Sequence, residues 1–123
     1  MKLSKSEEQL MQYLWQLEKG FLKDLLNVYP KPKPALTTVA TLLKRMTIKG
    51  FVAYKLYGKS REYYPLVSKK DYFSKHVNGL IKNFFNDSAS QFASFFTKET
   101  NFSEADLKEL RDIIDEEIKK KKL

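Results

Sequence analysis

Cysteine is missing from this 123-residue chain, and histidine occurs once. The first absence removes disulfides, thiolate metal sites and a cysteine nucleophile. The second removes a histidine-based metal cluster within one chain, and His76 reads as a packed or exposed ring rather than a ligand. No apolar run approaches the ~20 residues that a membrane helix needs. The opening MKLSKSEEQL also lacks the apolar core of a signal peptide. A cytoplasmic protein is the expectation. Glycine and proline number four each, and no glycine-rich phosphate loop or Gly-x-Ser-x-Gly elbow can be traced. Carboxylates do not pair in an apolar setting. They gather near the C-terminus, where helical i, i+4 pairing with lysines accounts for them. Neither an enzyme nor a cofactor is expected, and the length suits one domain or a small domain with an appendage.

Positive charge is plentiful and unevenly placed. The net charge is +8. Through Val67 there are 12 Lys/Arg against 5 Asp/Glu; from Ser68 onward there are 11 against 10. A surface for phosphate would lie in the first half.

That half contains the most informative stretch, Thr37 to Val67. Val39, Leu42, Leu43 and Met46 follow i, i+3, i+4, i+7 spacing, which predicts an amphipathic helix over about 37–49. Thr37, Thr41, Lys44 and Ile48 fall on the opposite face, with Thr38 and Arg45 on its flank. Hydroxyls permit close approach to base edges, and cations reach phosphate or guanine. Gly50 is placed to end this helix. The alternation from Val52 to Tyr57 and on to Val67 predicts a β-hairpin whose turn, Gly58-Lys59-Ser60-Arg61, carries two cations at its tip. A groove-reading helix followed by a basic wing over about 57–62 is a winged helix-turn-helix. Tyr54, Tyr57, Tyr63 and Tyr64 could stack on bases, but cross-strand packing is the favoured role.

Upstream, a helix over about 6–19 with Ser4 or Ser6 as N-cap buries Leu10, Met11, Leu14 and Leu17, with Trp15 at its edge, and stops at Gly20. A short helix follows over about 21–28. Three prolines then make residues 29–34 a non-helical basic connector, for which a plain loop is the favoured reading and backbone-phosphate contact by Lys31 and Lys33 the alternative. Downstream, Phe73, Val77, Leu80, Ile81 and Phe84 keep helical spacing, with a break near Asn86-Asp87-Ser88. Six of the nine phenylalanines lie between Phe84 and Phe102. So much aromatic surface on so few helices usually marks an interface. Candidate dimerisation residues are Phe84, Phe85, Phe92, Phe95, Phe96, Leu107, Leu110 and Ile114. Ser103 and Asp106 form a capping-box pattern opening a final helix whose lysine-rich end suits the helix dipole.

These residues resemble a known family. Ser4-x-x-Glu7, Met11 with Leu14-Trp15, Thr38-Val39-x-Thr41-Leu42-Leu43-x-Arg45-Met46 and Lys49-Gly50-Phe51 look like the penicillinase-repressor family of winged-helix regulators. The likeness continues through Tyr63-Tyr64-Pro65-Leu66-Val67 and Phe102-Ser103-Glu104 with Leu107 and Glu109-Leu110-Arg111. It implies a homodimeric repressor on a palindromic operator, with DNA contacts at Thr37, Thr38, Thr41 and Arg45 and in the wing at Lys59 and Arg61. Ala35-Leu36-Thr37 departs from the Ser-Pro-Lys or Ser-Pro-Arg often found there, so one family cation is missing. In the β-lactam branch, induction works through proteolysis of an Asn-Phe bond, with a membrane-bound sensor protease as the implied partner. The corresponding position here is expected at Phe95-Phe96. The copper-responsive branch carries C-terminal cysteines that this chain lacks.

The sequence thus predicts a mainly α protein with a small β-hairpin. Residues 1–67 form a winged-helix DNA-binding domain, and residues 68–123 a helical dimerisation domain. The expected partners are double-stranded DNA, through Thr37, Thr38, Thr41, Lys44, Arg45, Lys59 and Arg61, and a second copy of the chain. The rival readings are a winged-helix module for protein–protein interaction, or an effector sensor enclosing an apolar ligand among its phenylalanines.

Overall fold

A computed structural model describes residues 2–123. Six helices and three strands follow one another: α1 (Lys5–Leu17), β1 (Gly20–Phe21), α2 (Leu22–Val28), α3 (Leu36–Ile48), β2 (Val52–Tyr57), β3 (Ser60–Pro65), α4 (Lys69–Phe84), α5 (Ala89–Glu99) and α6 (Glu104–Lys121). The strands form one antiparallel sheet in the order β1-β3-β2. The architecture is mainly helical with a small sheet, as expected. β1 was not foreseen: Gly20 pairs with Tyr63 and Phe21 with Glu62, and two residues show no alternation to read.

Local chemistry explains the boundaries. Ser4 is the N-cap of α1, its hydroxyl accepting from the Glu7 N–H while Glu7 returns a bond to the Ser4 N–H. This reciprocal pair satisfies two helix-end donors. α1 ends before Gly20, because Glu18 turns the chain with φ 68. α3 ends as anticipated, with Gly50 at φ 84. There the Phe51 N–H reaches the Met46 carbonyl and the Gly50 N–H reaches Thr47, the paired bonds of a Schellman motif. Asn86 and Asp87, both at positive φ, make the foreseen break before α5, which Ser88 caps.

Two structural units divide the chain, one through Lys75 and one from His76 to Leu123. In the first, α1, α2, α3 and the sheet close over Leu10, Met11, Leu14, Leu25, Val39, Leu43, Met46 and Val52. The unit runs past the boundary expected at 67 because the first turns of α4 pack on α1. Tyr72 is buried there, its hydroxyl donating to Glu8 and its ring beside Trp15 and Phe51. Burial, reinforced by Glu8, pushes this phenol up to about 12, so it remains a donor. Trp15 Nε1 donates to the Val67 carbonyl at 2.9 Å. The second unit holds the C-terminal part of α4 with α5 and α6, and none of its described side chains is fully buried.

Candidate nucleic-acid interface

Helix α3 is held from behind. Its Val39, Leu43 and Met46 are fully buried, while Leu36, Thr37, Thr38, Thr41, Lys44, Arg45 and Ile48 are exposed. At the C-terminal end, Lys49 Nζ bonds Glu7 Oε1 at 2.7 Å and the Lys2 carbonyl at 3.2 Å. Glu7 is 1% exposed. Burial works against its ionisation, but the bonds from Lys49 and Ser4 outweigh it and hold its carboxyl below the usual range. The helix is therefore clamped at its end by a charged pair removed from the exposed face. Thr41 Oγ1 donates to the Thr37 carbonyl at 2.9 Å, and Thr47 Oγ1 to the Leu43 carbonyl at 2.7 Å.

The wing differs from its expected form in one respect. Tyr57 pairs with Ser60 and Leu56 with Arg61, so the turn consists of Gly58 and Lys59 alone. Gly58 has φ 63, the positive value required at the first central position of a primed hairpin turn. Lys59 thus sits at the tip, whereas Arg61 stands within β3. Its guanidinium lies over the Tyr54 ring, 4.5 Å from the centroid. Tyr54 in turn meets its cross-strand partner Tyr63 edge to face at 5.6 Å. The tyrosine pair packs as the strand pattern implied, and it also carries the cation.

Between α3 and the wing runs an open groove of about 510 Å³, lined by Ala40, Thr41, Lys44, Thr47, Ile48, Tyr54, Arg61 and Tyr63. Lys44 and Arg61 come from its two sides. Thr37, Thr38 and Arg45 are exposed on α3 outside that lining, and Lys59 belongs to a neighbouring groove with Lys23 and Arg61. Lys23 had no signal in the sequence, since only tertiary structure brings α2 beside the wing.

Lys33 is engaged within its own chain, which removes it from the phosphate alternative. Its ammonium donates to the carbonyls of Leu26, Asn27 and Tyr29 at 3.3, 2.9 and 2.8 Å. It closes the C-terminal end of α2, where free carbonyls favour a cation. Lys31 is exposed.

In the second unit the aromatic residues form a chain of contacts. Phe85 meets Phe92 and Phe95, Phe92 stacks on Phe96 at 5.9 Å, and Phe96 meets Phe102. Phe85, Phe92 and Leu110 are half-buried, but Phe84 is 76% and Ile114 58% exposed, and Phe95, Phe96 and Leu107 are exposed as well. Phe95-Phe96 lies inside α5, where helical hydrogen bonding shields the backbone. Asn-Phe bonds occur instead at Asn83-Phe84, within α4, and at Asn101-Phe102, in the link between α5 and α6. The dipeptide itself was the signal that could have located the second.

The chain matches the penicillinase repressor family over residues 3–116. Methicillin resistance regulatory protein MecI of Staphylococcus aureus (strain N315) is 24% identical over 113 residues, 91% of this chain and 92% of its own length. The MecI protein of Mammaliicoccus sciuri is 23% identical over an equal span. Among solved structures, a chain of the Giardia lamblia Hop2-Mnd1 complex covers 95% of this chain and 80% of its own, with a TM-score of 0.38 and 13% identity.

Proposed function

Since the chain belongs to the penicillinase repressor family, we propose that this DNA-binding transcriptional repressor acts as a homodimer on a palindromic operator. α3 enters the major groove with Thr37, Thr38, Thr41, Lys44 and Arg45. The wing holds backbone phosphate through Lys59 and Arg61. The observation that carries the reading is the groove between α3 and the wing, with a cation from each side and a buried core behind it. Such a channel suits a strand of nucleic acid, whose phosphates meet Lys44 and Arg61 while α3 reaches base edges. Two copies of α3 would read half-sites one or more helical turns apart. The exposed apolar faces of α5 and α6 support pairing through the second unit.

The test is a mobility-shift series with Arg45→Ala on duplexes selected from genomic fragments. Loss confined to the selected sequence, on the order of 1–3 kcal/mol, is expected if Arg45 reads a base. Equal loss on random DNA would make Arg45 a phosphate contact. Failure of the wild-type protein to retain any fragment would favour a protein–protein module.

Induction by a sensor protease, if this chain follows the β-lactam branch, would fall at Asn101-Phe102. Thr100 and Ser103 are extended there and Asn101 is exposed, so this backbone can enter a protease cleft without unwinding a helix. N-terminal sequencing of fragments from induced cells should return Phe102 as the new terminus; Phe96 or Phe84 would refute the assignment.

A further inference from the structure

The exposed face of α3 lacks an entire class of base-reading groups. From Ala35 to Gly50 there is no Asn, Gln, Asp or Glu. The amides that pair with adenine and the carboxylates that accept from cytosine are therefore absent from the helix. Among the hydroxyls, Thr41 has committed its hydrogen to the Thr37 carbonyl. A threonine so engaged retains its γ-methyl for contact outside the helix. Thr37, Thr41 and Ile48 share one face with Lys44, and Ile48 is 72% exposed. Apart from Lys44, the flanking Arg45 and the hydroxyls of Thr37 and Thr38 at its N-terminal end, what this face offers a base is methyl groups.

In the major groove, the base substituent complementary to a methyl group is the C5-methyl of thymine. We propose that α3 recognises its operator chiefly through thymine methyls, with Thr41 as the central contact. This inference rests on the repressor reading above. Thr37 lies one turn before Thr41, and Ile48 about two turns beyond it. Successive methyl contacts are thus spaced by one or more helical turns of about 5.4 Å each. Lys44 then supplies a guanine or phosphate contact between them.

The experiment starts from duplexes selected by the full-length protein out of a random pool. Each thymine of the enriched sequence is replaced in turn by deoxyuridine, which removes only the methyl. At one or more positions of the half-site, affinity should fall roughly fourfold per methyl, the value of one buried carbon. At the position read by Thr41, Thr41→Ser should bind thymine and uracil duplexes alike, whereas Thr41→Val should keep the preference. An enriched sequence indifferent to uracil, or a Thr41→Val protein that no longer discriminates, would overturn the proposal while leaving the repressor reading intact. If no sequence is enriched, the repressor reading fails and this one with it.

Discussion

The unit through Lys75 closes over its own apolar side chains, whereas the unit from His76 onward encloses none of its described ones. Both are built from helices with apolar residues at helical spacing. In the first, the stripe of α3 meets α1, α2 and the sheet. In the second, Leu107, Ile113, Ile114 and Ile118 of α6 remain between 40% and 58% exposed. An apolar stripe indicates that a helix will be covered. It does not indicate whether the cover comes from the same chain. The first unit supplies its own cover; if the second pairs with another copy as proposed, its stability should depend on concentration.

The sharpest way to break this comparison is a core truncation. Leu43→Ala should cost about 2–5 kcal/mol in urea unfolding of the first unit, while Ile114→Ala should change a monomer by roughly 0.5 kcal/mol or less. Similar losses in both would erase the distinction. Next in size, the Phe92→Ser, Phe96→Ser double variant should sediment as a monomer with weakened DNA binding. The thermal midpoint of the second unit in the wild type should rise with protein concentration. A persisting dimer would move the interface elsewhere.

A smaller effect concerns pH and only the first unit. The Glu7 carboxyl titrates lower in the folded protein than its ordinary 4.5. Its ionised form therefore stabilises the fold above that pH, and the contribution disappears as pH falls through the folded value. Glu7→Gln should lower stability at neutral pH by about 1–3 kcal/mol and flatten the acid limb of a stability–pH curve. An unchanged acid limb would deny the Lys49 pair its role. The smallest change is expected from Lys59→Ala, which should reduce the log–log salt slope of DNA binding by about one. A slope left as it was would remove Lys59 from the contacts.

Much of the first unit was legible because its signals are local. The Ser4-x-x-Glu7 box, the spacing of Val39, Leu43 and Met46, and Gly50 after α3 each specify a feature within a few residues of themselves. What escaped was set by distant partners or by register. β1 exists only because β3 accepts it. Lys33 closes α2 through a fold of the proline connector that brings it back under Tyr29. Arg61 moved from tip to strand because a two-residue turn shifts the pairing that a four-residue turn would give. In the candidate site, the exposed threonines and cations of α3 could be read from helical angles alone. The support of Arg61 by Tyr54, and the nearness of Lys23 to the wing, required the folded sheet.

Lys33 and Lys49 share one further consequence. Each ammonium is already engaged by carbonyls or a carboxylate of its own chain. Of the 12 cations through Val67, these two are held in place and are not free to neutralise a phosphate, so they displace none of the cations condensed on DNA. Ion release should therefore fall short of what formal charge suggests. For this fold, a titration against salt measures how many lysines the architecture has left unoccupied.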